Sequence, residues 1–359
     1  MNLYTQPLSA AELRRSASNM KSHPALTFGI YPGGRVGTLS PGPDDTVVTA
    51  SLIDDLRCER PFVIREYVHF LGGTPDSQLV TSLGAAREMT NLTLPDAYYQ
   101  VEGHLLDLVV SYIPTDADLP GWLRFLDTVI DRYGHLAHFL QVTLEPNFPI
   151  PLIDGSAPGV LIALTKGIPY AKQRLGEHGF DHVKVGFSVA EPPEWLGGDG
   201  PFWSELGKLP FETFAQYIDY VGLALYPDAF SPVAPPGQPG DLESLTRHAI
   251  EQLRKHSLPL AHIPAGTPLH IAENGSPSGP PRDEAQQVAS ITTMIRTIHS
   301  LSTRENITHY ELFNLRDADS SSDQAVASLG LVTSSYRPKQ SFQTYCDLVQ
   351  ELGAELTEP

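Results

Sequence analysis

Cysteine is scarce in this chain, with two residues in 359, Cys58 and Cys346. They form no C-x-x-C and lie far apart, so the sequence predicts neither a disulfide framework nor a thiolate metal site, only two buried thiols. Lys/Arg-rich runs are absent, and 42 acidic against 24 basic residues leave a formal net charge of −18. That balance excludes a nucleic-acid backbone or an anionic membrane as a natural partner and disfavours acidic ligands. No apolar run approaches membrane-spanning length, and residues 1–10 lack a basic start followed by an apolar segment, which predicts a soluble, cytoplasmic protein. Signatures of metal hydrolases are missing too. Thirteen histidines are present, yet no H-E-x-x-H and no His-x-His strand end occurs. His135 with His138, and His178 with His182, fall at helix-to-strand junctions, away from the end of a barrel where chemistry is done, so no metal or other cofactor is expected. Gly33-Gly34-Arg35-Val36-Gly37 has neither dinucleotide spacing nor a Gly-Lys-Ser/Thr ending, and no helix follows it at once, so it is no phosphate loop.

What is present is a regular alternation. Apolar residues make up 41% of the chain, and 32 Pro and 29 Gly point to many ordered loops rather than disorder. Strand-like runs are expected at residues 26–31, 61–70, 105–113, 139–145, 182–190, 217–226, 268–273 and 308–316. Helical patterns follow Asp44-Asp45 and cover about 120–133, 157–178 and 242–256. Residues 72–102 are ambiguous, and residues 1–23 read as a polar arm. Eight strands with helical crossovers predict parallel pairing, and a closed (β/α)8 TIM barrel of one domain over residues 24–359 fits better than a doubly wound sheet, which would usually carry a Gly-rich nucleotide turn.

Two of the strands end in a carboxylate. Residues 268–275 run from Pro268 through Ile271 to Glu273, and Asn274-Gly275 then turns the chain; residues 139–147 run to Glu145 and Pro146. The carboxyl ends of barrel strands are where side chains meet a substrate. Either glutamate alone reads first as a solvated strand end. Arg65 and His69 are polar residues in a run otherwise suited to burial, and a buried charge needs a partner.

With the acids placed on the fourth and seventh strands, residues 24–354 resemble the clan of retaining glycoside hydrolases built on (β/α)8 barrels, without singling out one family. Tyr226-Pro227 after the sixth strand, Arg65 on the second, and residues 330–339 before the last helix agree with that likeness. The resemblance implies that Glu145 is the acid/base and Glu273 the nucleophile, with Arg65 and Tyr226 hydrogen-bonding Glu273. His69, Asn147, Trp195, Arg316 and Asp317 are further candidates for contact with the substrate, a small or oligosaccharide glycoside. The structural alternatives are a salt bridge of Arg65 with Glu66 or another barrel carboxylate, Trp195 and Trp203 that only pack their loop, and His69 as a satisfied interior imidazole. Two departures stand out. Leu144 occupies the place where the clan usually carries an Asn that binds the sugar 2-hydroxyl, which weighs against ordinary β-glucosides and β-galactosides. Phe313 lies near where many members present a Trp beneath the sugar. The resemblance implies a retaining O-glycosidase or transglycosidase. The alternative is a non-catalytic carbohydrate-binding barrel, or a barrel enzyme of different chemistry that keeps the glutamate pair.

Overall fold

Alternation within single strands decides what this chain buries. In β2 (Phe62–Phe70), Phe62, Ile64, Val68 and Phe70 join the large apolar cluster that packs strands against helices. Val63 instead meets Phe139 and Tyr220 in a small separate cluster. Residues two apart on a strand share a face, so Arg65, Tyr67 and His69 follow Val63 on the inner side.

The computed structural model describes residues 24–37, 39–72, 101–191, 197–229, 233–279 and 282–355. The arm at 1–23, nearly all of the ambiguous stretch and Trp195 lie outside these. Eight strands pair in parallel in chain order, and the last closes on the first: β1 (Thr27–Ile30), β2, β3 (His104–Tyr112), β4 (Ala137–Val142), β5 (Lys184–Ala190), β6 (Tyr220–Leu225), β7 (Leu269–Asn274) and β8 (Ile307–Leu312). Between and after them run α1 (Thr46–Arg57), α2 (Leu119–Tyr133), α3 (Val160–Glu177), α4 (Gly200–Leu206), α5 (Leu242–Gln252), α6 (Glu284–Glu305) and α7 (Gln340–Leu352). This is the expected single-domain (β/α)8 barrel. Helix starts follow local chemistry. Asp45 caps α1 by accepting from the Val47 and Val48 amides, and Asp283 and Gln286 form a reciprocal cap on α6. In α2, Trp122, Leu126, Val129 and Ile130 are buried, and the Trp122 indole donates to the Ala163 carbonyl of α3 at 3.1 Å.

Two differences from the sequence reading bear on the site. β4 stops at Val142, three residues before Glu145, because Thr143 and Glu145 take left-handed backbone angles, φ 70° and 49°. In β7, His270 pairs with Gly222 and Ile271 with Leu223, but Ala224 pairs with Glu273, which leaves Ala272 as an extra residue. Such a bulge shifts the phase by one and brings Glu273, rather than Ala272, into line with the inner face of β6. Gly222 leaves room for it, since a Cβ there would lie 2.8 Å from that of Ala272.

The two cysteines, distant in sequence, meet where α1 and α7 pack: both thiols lie against the Asp55 carbonyl, at 3.6 and 3.8 Å. Both are free. Among the described residues, no helix is long and apolar enough to cross a membrane.

Candidate active site

The inner residues of the barrel stack in layers. The lowest joins Phe139, Tyr220, His270 and His309, with the His270 ring 4.1 Å from Tyr220 and 4.0 Å from His309 between centroids. Burial pushes the His309 imidazole down to about 3 and that of His270 well below its ordinary value, so both are neutral rings.

One step along the strands is Arg65, 1% exposed. Its guanidinium donates to Asp107 at 2.5 Å, to the Tyr67 hydroxyl at 2.7 Å and to Gln141 at 2.9 Å, and reaches Glu273 at 3.5 Å and Glu311 at 3.6 Å. The alternative partner Glu66 points to the other face of β2, as alternation requires. Three carboxyls around one cation cannot all carry a charge cheaply. Burial, and then the Asp107 charge, push Glu311 well above the carboxylate range. Burial raises Asp107 as well, but its short contact to Arg65 pulls it back, so the negative charge of the layer belongs on Asp107 rather than on Glu311.

Glu273 sits above this layer and accepts from three donors. Its Oε1 receives the Tyr67 hydroxyl at 2.7 Å and Arg65, and its Oε2 receives the Tyr226 hydroxyl at 3.1 Å. These contacts fix the rotamer of the carboxyl. Tyr67 was missing from the sequence reading, although its position two residues after Arg65 on the same face was a usable signal. Phe313 packs between these donors, stacked on Tyr31 at 5.2 Å and edge-on to Tyr67 and Tyr226 at 6.4 Å. Glu145 faces the opposite condition. Burial, and then the charge of Glu273, push its carboxyl well above the usual range, with Arg65 pulling the other way. The pair is therefore differentiated: one carboxyl is surrounded by donors, the other is desolvated beside an anion.

No protein-family model and no curated protein matches this chain. Solved structures do. A family 1 β-glucosidase from Exiguobacterium antarcticum superposes with a TM-score of 0.58 at 13% identity, covering 91% of this chain and 97% of that one. A family 39 glycoside hydrolase from Bacteroides cellulosilyticus gives 0.54 at 16% identity over 91% of this chain and 64% of its own. A Bifidobacterium dentium β-glucuronidase, solved with coumarin-3-O-glucuronide, gives 0.56 at 14% identity over 91% and 46%. All three are glycoside hydrolases. At these identities the likeness carries the barrel fold, and this chain spans only about half to two thirds of the latter two.

The other candidates take varied places. His69 is on the inner face beyond Tyr67, paired in register with Ser111, 7% exposed and without a partner at Nδ1. Burial, and then the charge of Arg35, lower it to about 4, so the ring is neutral. Asn147 is engaged on both sides of its amide: Nδ2 donates to the Ala190 carbonyl and to Asp199, and Oδ1 accepts from the Ala190 amide, each within 2.9 Å. It ties the β4 loop to the end of β5, so the amide expected to contact a substrate is already engaged within the protein. Asp199 also accepts from the Trp203 indole, and Trp203 is buried in α4, a packing residue. Arg316 donates to the Ser334, Pro43 and Pro41 carbonyls and lies 4.1 Å over the Tyr336 ring. Asp317 pairs with Lys339 at 2.7 Å and accepts from the Gly330 amide. Both were expected as substrate contacts; their hydrogen bonds instead hold the segment from Gly330 to Lys339, and for Arg316 also the loop at Pro41 and Pro43, against the barrel.

Proposed function

We propose that this protein hydrolyses glycosides by double displacement with retention, Glu145 acting as acid/base and Glu273 as nucleophile. The observation that carries the reading is the differentiated carboxyl pair at the mouth of the barrel. Glu145 donates its proton to the glycosidic oxygen while a Glu273 oxygen attacks the anomeric carbon; the C–O bond to the leaving group breaks and a glycosyl ester forms. Ester formation removes the anion that raised Glu145, so its pKa falls and it becomes the base that takes a proton from the incoming water. Arg65, Tyr67 and Tyr226 hold the nucleophile, and Phe313 and His69 line the approach to it. The fold shared with glycoside hydrolases supports this reading, and the glucuronide bound to one of them adds glucuronides to glucosides and galactosides in the set to test.

The decisive experiment is turnover of a panel of aryl glycosides, with NMR of the first-formed sugar anomer. Retention is expected. An inverted product would overturn double displacement and leave Glu145 and Glu273 as acid and base about a water. A sugar-binding barrel without turnover is the second reading, favoured by Leu144; binding of glycosides with no hydrolysis across the panel would select it.

A further inference from the structure

We propose that Asp154 is the positioning residue for Glu145: anchored on β3, its carboxylate holds the Leu144 amide and so fixes the turn that presents the acid. The proposal rests on the reading of Glu145 as acid/base and adds what sets its position and protonation. Asp154 is fully buried in the short turn Asp154–Ser156, so it touches no substrate and acts only through its neighbours. Its Oδ1 accepts from the Ser111 hydroxyl at 2.5 Å, and its Oδ2 from the Tyr112 amide at 2.6 Å and the Leu144 amide at 2.8 Å. One carboxylate thus joins the end of β3 to the loop after β4.

The bridged peptide lies inside an unusual turn. Leu144 is flanked by Thr143 at φ 70° and Glu145 at φ 49°. Left-handed angles are costly for residues with a Cβ, most of all for β-branched threonine, and persist only where surroundings over-determine them. The Thr143 amide is held by the Val110 carbonyl and the Glu145 carbonyl by the Phe148 amide. The Leu144 amide, between them, has the Asp154 carboxylate.

The same residue bears on charge. Glu145 is faced by Glu273 from β7, Arg65 from β2, Tyr226 after β6 and Asp154 from its own loop; burial, Glu273 and Asp154 favour its protonated form, and Arg65 opposes them. Asp154 is itself raised to about 7 by burial, against the three donors that stabilise its anion. As Asp154 ionises it repels a second negative charge on Glu145, which keeps the acid protonated to higher pH.

The test reads Glu145 directly. Enzyme labelled with 13C-carboxyl glutamate, with Glu145→Gln fixing the assignment, reports the Glu145 midpoint by NMR without needing turnover. Asp154→Asn is expected to lower that midpoint by roughly one pH unit. Ser111→Ala, which removes only a donor to Asp154 and so makes Asp154 ionise later, should lower it by less. The alkaline limb of kcat/KM should move to lower pH by the same amounts, and Asp154→Asn should cost roughly 10- to 100-fold on substrates with poor leaving groups while sparing activated ones. If both variants are folded by circular dichroism and neither the midpoint nor the activity on poor leaving groups changes, Asp154 does not position Glu145 and the proposal falls, with the glycosidase reading intact. If the midpoint moves but the wild type hydrolyses no glycoside, the positioning role stands and the glycosidase reading falls.

Discussion

On β8 the floor of the barrel and its charged layer are two residues apart, His309 and then Glu311; on β2 the same step leads from Val63 to Arg65. The floor is neutral and closed by stacked rings. The layer above it gathers Arg65, Asp107 and Glu311, with Gln141 and Tyr67 completing the hydrogen bonds. The strands and their alternation are the same in both, so the contrast comes from residue choice at successive inward positions. A floor that holds its shape without charge leaves Arg65 to face the mouth, where one of its contacts is Glu273. Buried charge is costly unless paired. Here it is concentrated beneath the two carboxyls proposed to do the chemistry.

The comparison breaks most visibly at the mouth. Glu273→Gln removes the proposed nucleophile but keeps a side chain that Tyr67 and Tyr226 can bind, so turnover should fall by ~10⁴-fold or more while ligand binding and thermal unfolding change little. Turnover within tenfold of wild type would eliminate Glu273 as nucleophile. Glu145→Ala should be smaller and selective, a loss of roughly 10²- to 10⁴-fold on glycosides with poor leaving groups and far less on activated aryl glycosides, because only the former need the proton. Equal losses on both substrates would argue against the acid role.

The charged layer itself can be taken apart by stability. Asp107→Ala leaves Arg65 without its nearest partner, and removal of one member of a buried ion pair costs about 3–5 kcal/mol. Glu311→Gln replaces a neutral acid with a neutral amide and should stay within about 1 kcal/mol of wild type. Urea unfolding of the two variants checks the assignment. A cost for Glu311→Gln equal to that of Asp107→Ala would overturn the assignment of Glu311 as the neutral member.

Much of this architecture was legible before any coordinates. Strand runs such as residues 62–70 announce themselves by alternation, and Arg65 was flagged because a cation in such a run needs a partner. Glu145 and Glu273 stood out as acids at strand ends. The phase of Glu273 was not legible, because it depends on Ala272 being left over between β6 and β7, a consequence of barrel stagger that no local pattern encodes. Asn147 has the chemistry of a sugar ligand, and only the tertiary fold shows Ala190 and Asp199 consuming its amide. Asp154 gave no signal in a Pro-rich loop, since its partners come from β3 and from a peptide ten residues earlier. Arg316 and Asp317 look like a polar loop until the segment from Gly330 to Lys339 folds back on them.

The floor can be tested too, by asking whether that layer is neutral as described. His309 is lowered to about 3 and His69 to about 4, in both cases chiefly by burial. A histidine depressed in the folded state binds fewer protons there than in the unfolded chain, so the stability it allows at neutral pH is lost as pH falls below its ordinary value near 6.5, levelling off near the folded value. Carboxyls raised by burial, such as Asp154 at about 7, act with the opposite sign, losing stability as pH rises from about 4 towards 7. The wild-type stability curve is therefore a difference of two trends, and its slope alone identifies neither. His309→Phe removes one histidine contribution and keeps an aromatic ring against Phe139 and His270. Between pH 7 and pH 4.5 the variant should lose about 2 kcal/mol less than the wild type, whatever the substitution itself costs at pH 7. Parallel curves for the two proteins by urea unfolding would mean that His309 takes up its proton in the folded barrel, and the contrast between a neutral floor and a charged layer would no longer hold.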